Sequence, residues 1–279
     1  MGSILWMIDL GGRADRGQAA VGALARARGD QVLLCHATGL PPKLRAPKGD
    51  HVEPGDTQAE RQRVIAAKAA LGALQAALQA DGVEAQVILQ GGHPEDVAAE
   101  RVREHRVGLV VAGRTRSSGL DRLLLGNTTR RILRAVAAPT LVLGDPAPST
   151  LRRVLCPIDI DEPEEEGHLL SVADLSRRQG AGVVWLGVEE GRSSRLGSED
   201  LEVRLCRKVE AALGQRLPAT DRVRAVVAES VLAGILEESE GVDLIALRHS
   251  GRRGIARLLA GDTAERVVAA CPLSVLVSH

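Results

Sequence analysis

The sequence of 279 residues contains no phenylalanine and no tyrosine, and its only tryptophans are Trp6 and Trp185. Proteins that bind single-stranded nucleic acid usually stack the bases on aromatic side chains, so this composition argues against that class. An excess of positive charge is also missing, because 36 Lys and Arg residues are balanced by 36 Asp and Glu residues. Without a basic field, we expect no nucleic-acid partner.

Paired cysteines and long apolar runs are lacking as well. The four cysteines form no CxxC pair, and three of them lie in strand-like apolar stretches, so we expect reduced, buried thiols rather than a disulfide framework or a zinc site. They are Cys35, Cys156, Cys206 and Cys271. The N-terminal apolar run over residues 4–10 is too short for a membrane span or a signal peptide. These features predict a cytoplasmic protein with no membrane partner.

The most informative feature that is present is an internal repeat. Residues 108–128 (GLVVAGRTRSSGLDRLLLGNT) align without a gap with residues 243–263 (DLIALRHSGRRGIARLLAGDT). Each copy has an apolar run, a loop rich in Gly and Arg, and a Gly-x-Thr entry into an amphipathic helix. This layout is typical of an anion-binding turn at a helix N-terminus.

The repeat extends to the start of each half and indicates two domains. The apolar runs ILWMIDL (4–10) and VLCPIDI (154–160) both contain an aspartate near their end, at Asp9 and Asp159. A short Pro-rich segment, GDPAPST (144–150), separates two apolar strands and has the character of a linker. We therefore predict domains over residues 1–146 and 147–279.

Short apolar runs alternate with helical patterns in both halves, which predicts an α/β fold with two tandem doubly wound parallel sheets. The predicted strands of the first half are 3–9, 31–36, 84–89, 108–112 and 140–143. Those of the second half are 153–159, 182–188, 222–227, 243–247 and 273–277. Both aspartates and both glycine-containing loops fall at carboxyl ends of strands, where open sheets of this type bind ligands.

On these residues the chain resembles a tandem universal stress protein over essentially its whole length. The resemblance implies two domains of the adenine nucleotide alpha hydrolase-like type. Nucleotide-binding members of that family carry a loop G-x2-G-x9-G-[S/T/N] and an aspartate at the end of the first strand. The first half matches with Gly113 and Gly126-Asn127 but has Arg116 at the second glycine position. The second half matches with Gly251 and Gly261 but has Arg248 at the first glycine position and Asp262 after the last one.

The resemblance implies one adenine-nucleotide site in the first half, for ATP or another adenine nucleotide, with Mg²⁺ expected only together with the nucleotide. Asp9 would accept a hydrogen bond from the adenine or ribose, and backbone N–H groups of the loop would hold the phosphates. Arg116 could either clamp the phosphates or fill the pocket. The implied binding residues are Ile8, Asp9, Ala37, Gly113, Arg116, Gly126, Asn127 and Thr128.

The corresponding residues of the second half are expected to form a degenerate site that does not bind ATP. Asp262 places a carboxylate where the phosphates would lie, and Arg248 could pair with it and close the site. Asp262 also has a structural use as a helix N-cap. The positions implied for this second site are Asp159, Gly251, Gly261 and Thr263.

The function implied is a stress-response or signalling role rather than catalysis. One alternative is an interaction scaffold without a nucleotide, in which both loops are structural. A slow ATPase ranks last, because the sequence offers no obvious general base. In this family the last strand commonly pairs two domains, so 140–143 and 273–277 would form an intrachain pseudo-dimer or a homodimer through exposed sheet edges.

Overall fold

A computed structural model describes residues 2–10, 17–39, 58–116, 123–124, 126–161, 166–191, 198–248 and 263–278. The chain divides into two compact units, Met1–Leu143 and Gly144–His279. The domain boundary predicted at 146/147 is close to this division and stays a prediction.

The first unit contains a five-stranded parallel sheet in the order β7-β4-β1-β2-β3. Its strands are β1 (Ser3–Met7), β2 (Gln31–Ala37), β3 (Ala85–Gln90), β4 (Val107–Ala112) and β7 (Thr140–Val142), and β5 (Thr115–Arg116) and β6 (Leu123–Leu124) form a separate pair. Its helices are α1 (Gln18–Arg28), α2 (Gln58–Ala80), α3 (Pro94–Glu104) and α4 (Asn127–Ala135).

The second unit repeats this sheet, with five parallel strands in the order β12-β11-β8-β9-β10. Its strands are β8 (Arg153–Ile158), β9 (Gly182–Glu190), β10 (Arg222–Ala228), β11 (Leu244–Arg248) and β12 (Ser274–Ser278). Its helices are α5 (Glu166–Gln179), α6 (Ser198–Leu213), α7 (Val231–Glu237) and α8 (Thr263–Ala270). The predicted α/β class with two doubly wound parallel sheets is confirmed.

The sheets form because their central strands are apolar on both faces, as parallel strands covered by helices require. All five residues of β1 are buried, and Leu5 contributes to a cluster with Leu33, Val110 and Ile132. The first helix of each unit is followed by a glycine in the left-handed region, Gly29 at φ 67° and Gly180 at φ 69°, where a side chain would be strained. The same turn therefore returns the chain to the sheet in both units.

The glycine-containing loop of the first unit includes a short strand pair that was not predicted from the sequence. Thr115 pairs with Leu124 and Arg116 with Leu123 in a short antiparallel ladder. The repeat indicated that these residues connect β4 to α4 but carried no alternation that would predict pairing, because each strand of the ladder has two residues. The ladder brings the two arms of the loop together at its base.

The four cysteines are the first of the remaining features that the sequence singled out. Cys35, Cys156 and Cys271 are buried, Cys206 is half-buried, and all four are free thiols. Burial raises the pKa of the Cys35 thiol to about 12, which keeps it protonated.

Among the helices that the structure describes, none has both the length and the apolar character to cross a membrane. The described residues also contain no group of three or more His, Cys, Asp or Glu placed to hold a metal ion.

Candidate functional site

The candidate site of the first unit lies where the strand order of the sheet reverses. The central strand β1 pairs with β2 on one side and with β4 on the other, and Met7 lies opposite Ala112 in the register of the β1–β4 pair. Ile8-Asp9 and Gly113-Arg114 therefore leave the sheet at neighbouring carboxyl ends. In doubly wound sheets the strands diverge here into opposite crossovers, which leaves a crevice for a ligand.

The segment that carries Asp9 is held to β2 by two hydrogen bonds beyond the strand ladder. The backbone N–H of Ile8 donates to the Cys35 carbonyl at 2.8 Å, and the Nδ1 of His36 donates to the Ile8 carbonyl at 2.8 Å. Ile8 is buried, whereas the side chain of Asp9 is exposed at the strand end. The backbone before Asp9 is thus fixed while its carboxylate faces solvent. Ala37, the last residue of β2, is half-buried at the same edge of the sheet.

The N-terminus of α4 lies beside the end of β4. Gly126 is the N-cap with φ −61° and ψ 149°, and its carbonyl accepts from the Arg130 N–H at 3.1 Å. The hydroxyl of Thr129, which is buried, donates to the Gly113 carbonyl at 2.7 Å. This bond ties the first turn of the helix to the strand end, so the N-terminal N–H groups of α4 and the backbone after β4 belong to one corner of the unit. Asn127 and Thr128 are exposed on that turn.

Several arginines lie close to this corner in the chain. Arg114 follows Gly113 and Arg130 lies in the first turns of α4, and the Nε atom of each is shielded from solvent. Arg131 instead forms an ion pair with Glu95 at 3.2 Å, and 63% of its side chain is exposed. Cations and helix N–H groups at one edge favour an anionic ligand. The side chain of Arg116 lies outside the described residues, so its clamping or blocking role stays a prediction.

The equivalent edge of the second unit is built differently. The Asp159 carboxylate accepts from the Asp161 N–H at 3.0 Å, which forms a local turn immediately after β8. The ammonium of Lys208, from α6, donates to the carbonyls of Asp159 and Ile160 at 2.6 and 3.1 Å. Arg204 of the same helix pairs with Asp161 at 3.3 Å. A lysine ammonium therefore lies against the strand end that would have to admit a ligand.

The corner between the fourth strand and its helix is also changed in the second unit. The positions of Gly113 and Thr129 are taken by Arg248 and Ala264, and an alanine has no hydroxyl to tie the helix to the strand. Arg248 ends β11, and Thr263 is the first residue of α8. Gly251, Gly261 and Asp262 lie outside the described residues, so the pairing of Asp262 with Arg248 stays a prediction.

Sequence reasoning missed the residues that organise these two edges. His36, Thr129 and Lys208 act on backbone carbonyls that are 28, 16 and 49 residues away in the chain. The repeat offered one usable signal, since the Thr-Thr pair of the first helix entry becomes Thr-Ala in the second. No comparable signal in the sequence pointed to His36 or Lys208, because both bind main-chain carbonyls, which every residue has.

Both halves of the chain resemble known proteins. The family model for the universal stress protein family matches residues 1–144 and again residues 150–279. The chain belongs to the universal stress protein family. The two matches make it a tandem member, and the family as a class acts in the stress response. No curated protein matches the chain.

Solved structures of universal stress proteins share this fold. A universal stress protein from Archaeoglobus fulgidus DSM 4304 is 17% identical, with a TM-score of 0.76 over 99% of this chain and 97% of that one. A universal stress protein from Pseudomonas aeruginosa UCBPP-PA14, described as putative, is 19% identical, with a TM-score of 0.67 over 99% and 92%. A universal stress protein from Archaeoglobus fulgidus in complex with dAMP is 20% identical and covers 51% of this chain and 97% of that one. Its TM-score of 0.37 is too low to transfer the ligand.

Proposed function

We propose that this tandem universal stress protein binds one adenine nucleotide per chain, in the first unit, and that nucleotide occupancy regulates its role in the stress response. The observation that carries the proposal is the corner where the first turn of α4 meets the β1 and β4 strand ends. There an exposed Asp9 carboxylate, the Gly113 backbone and the free N–H groups of α4 lie at one edge of the sheet. A carboxylate and a set of N–H donors suit the sugar or base and the phosphates of one nucleotide, respectively.

The second unit is proposed not to bind ATP. Its Asp159 carboxylate is already engaged by the Asp161 N–H, and Lys208 donates to the carbonyls at the same strand end. A nucleotide would have to break these bonds before it could make its own, which lowers affinity by their free energy. The proposed stoichiometry is therefore one nucleotide per chain, not two.

Hydrolysis forms no part of the proposal. Asp9 is exposed at a strand end, and a carboxylate at that place does not by itself supply a general base for hydrolysis. An interaction scaffold without nucleotide is the competing function, and it predicts a chain that carries no nucleotide and gives no heat with ATP.

The first experiment measures the nucleotide content of the purified protein. The protein is denatured, the supernatant is separated by ion-pair chromatography, and the apo-protein is titrated with ATP by calorimetry, with and without Mg²⁺. A stoichiometry near one adenine nucleotide per chain supports the proposed site. A chain with no bound nucleotide and no heat of binding favours the scaffold.

Two glycine variants test the location of the site. A Cβ atom added at Gly113 would have no heavy atom within 4 Å, so Gly113→Ala should fold normally. It would nevertheless obstruct a phosphate that approaches the backbone, and we expect ATP affinity to fall by roughly tenfold or more. Unchanged affinity for Gly113→Ala would place the nucleotide elsewhere.

The second variant tests the helix N-terminus. The backbone of Gly126, at φ −61°, suits any residue, so Gly126→Glu introduces a carboxylate without backbone strain. We expect Gly126→Glu to abolish binding because its charge repels phosphate, while the neutral Gly126→Gln of the same size should bind more tightly than Gly126→Glu. Equal affinity of the Glu and Gln variants would contradict the assignment of phosphate to this end of α4.

A further inference from the structure

The second unit contains a buried polar cluster that the proposed nucleotide site does not use. His168 of α5 lies between two strands, with its Nδ1 atom 2.6 Å from the Ser278 hydroxyl of β12 and its Nε2 atom 3.5 Å from the Cys156 sulfur of β8. The three residues are 5%, 6% and 0% exposed, respectively. One imidazole ring thus joins a helix to two strands of the sheet beneath it.

The hydrogen bonds of the cluster suit a neutral ring. Neutral imidazole has one donor and one acceptor, and a hydroxyl or a thiol can supply either complement. Protonated imidazole has two donors, so the Cys156 sulfur would have to accept, which sulfur does only weakly. Protonation therefore forces the partner that donates to the neutral ring, either the hydroxyl or the thiol, to become an acceptor, and it places a charge inside a buried cluster.

The charges around the ring also oppose protonation. Burial and the Arg248 guanidinium from β11 lower the pKa of His168 to about 4, while a hydrogen bond with the Ala246 backbone acts in the opposite direction. Among the described residues, Cys156 from β8 and Arg248 from β11 are the titratable or charged groups whose contact or electrostatic effect on the ring is established, and β12 contributes the uncharged Ser278. A proton on His168 would place a second positive charge beside Arg248 in the core.

The first unit has a different arrangement at this place. Trp6 stands where the repeat places Cys156 in the second unit, since residues 4–10 align with residues 154–160. The indole is buried and packs closely at the start of α1, where a Cβ atom on Gly17 would come within 2.9 Å of its Cζ2 atom. The first unit therefore has an apolar contact between first strand and first helix in place of a titratable one.

We propose that the His168 cluster makes the second unit an acid-sensitive element, in which protonation of the imidazole releases α5 from β8 and β12 and loosens this unit while the first unit stays folded. The tandem chain would then respond to two signals, the binding of a ligand to one unit and protonation of the other. The inference is independent of the nucleotide site, since it uses residues of the second unit alone.

The direction of the pH dependence follows from linkage. The pKa of His168 is lowered in the folded chain relative to its ordinary value of 6.5, so the unfolded chain binds more protons between the two values. Stability from this group is complete above about pH 6.5 and is lost as the pH falls towards about 4. Over that window the unfolding equilibrium constant of the second unit should rise on the order of 100-fold from His168.

The two tryptophans allow each unit of the full-length chain to be followed separately. Trp6 and Trp185 lie in different units, both are buried, and the chain has no tyrosine. Urea unfolding of Trp6→Phe followed by fluorescence therefore reports on the second unit, and that of Trp185→Phe reports on the first. Both are measured from pH 7.5 to 4.5, with and without His168→Gln, and with His93→Gln as a control at an exposed histidine of the first unit.

The measured quantity is the slope of the free energy of unfolding against pH. A variant that loses the same free energy at every pH therefore leaves this slope unchanged. We expect the Trp185 signal to show a steep loss of stability below pH 6.5 that His168→Gln flattens and His93→Gln does not. The same slope with and without His168→Gln would overturn the proposal, as would a Trp6 signal that falls as steeply as the Trp185 signal. If His168→Gln does not fold, NMR titration of the His168 ring in the unaltered protein decides, because a midpoint near 6.5 in the folded state contradicts the proposal.

Discussion

At the scale of single residues, side chains bound to main-chain carbonyls decide what each candidate site can do. In the first unit the Thr129 hydroxyl holds the Gly113 carbonyl and thereby fixes the corner where a ligand would lie. In the second unit a lysine ammonium donates to the carbonyls after β8. The two units thus share the same backbone fold, while different polar contacts give their strand ends different chemistry.

Thr129→Val is predicted to destabilise the first unit by about 1 kcal/mol, because it removes one hydrogen bond without changing the size of a buried side chain. Thr129→Ser keeps the hydroxyl and serves as the matched control. Urea unfolding followed through Trp6 in a Trp185→Phe background measures the difference. A valine variant as stable as the unaltered protein would show that the bond to Gly113 contributes nothing.

At the scale of the elements, close packing of helices on the sheet sets which sequence changes are tolerated. Helix α7 lies against β9 and β10 and has a glycine, Gly234, on its buried side. A Cβ atom at Gly234 would lie 2.7 Å from the Val188 Cγ1 and 3.1 Å from the Ala228 Cβ. Gly72, in the middle of α2, would have no heavy atom within 4 Å of its Cβ.

This contrast gives a paired prediction at two helical glycines. Gly72→Ala should stabilise the first unit by roughly 0.5–1 kcal/mol, because alanine loses less backbone entropy on folding than glycine. Gly234→Ala gains the same helix propensity but must displace a stiff β-branched side chain, at a cost of about 1–3 kcal/mol. We therefore expect a net loss for the second unit. Thermal unfolding of both variants checks the opposite signs, and a stabilised Gly234→Ala would contradict the packing argument.

At the scale of the whole molecule, the two units have the same strand order, but we propose that the first responds to a nucleotide and the second to protons. If ATP binds the first unit, it should raise the stability of that unit by about 2.7 kcal/mol at a concentration 100 times the dissociation constant. The Trp6 signal in Trp185→Phe reports this shift, and the Trp185 signal in Trp6→Phe should shift less. A larger shift at Trp185 would assign the nucleotide to the second unit and refute the proposed site.

The sequence by itself determined the architecture, because hydrophobic periodicity and the gap-free repeat are local and periodic signals. They placed the strands of both sheets, and they placed Asp9 and Gly113 at strand ends where a parallel sheet of this class binds ligands. The tertiary structure decided which polar groups meet there. Thr129 with Gly113, Lys208 with Asp159, and His168 with Ser278 are separated by 16, 49 and 110 residues, and the fold alone brings them into contact. The bonds of Thr129 and Lys208 end on main-chain carbonyls, which every residue carries, so the residue type of the acceptor gives no signal in the sequence.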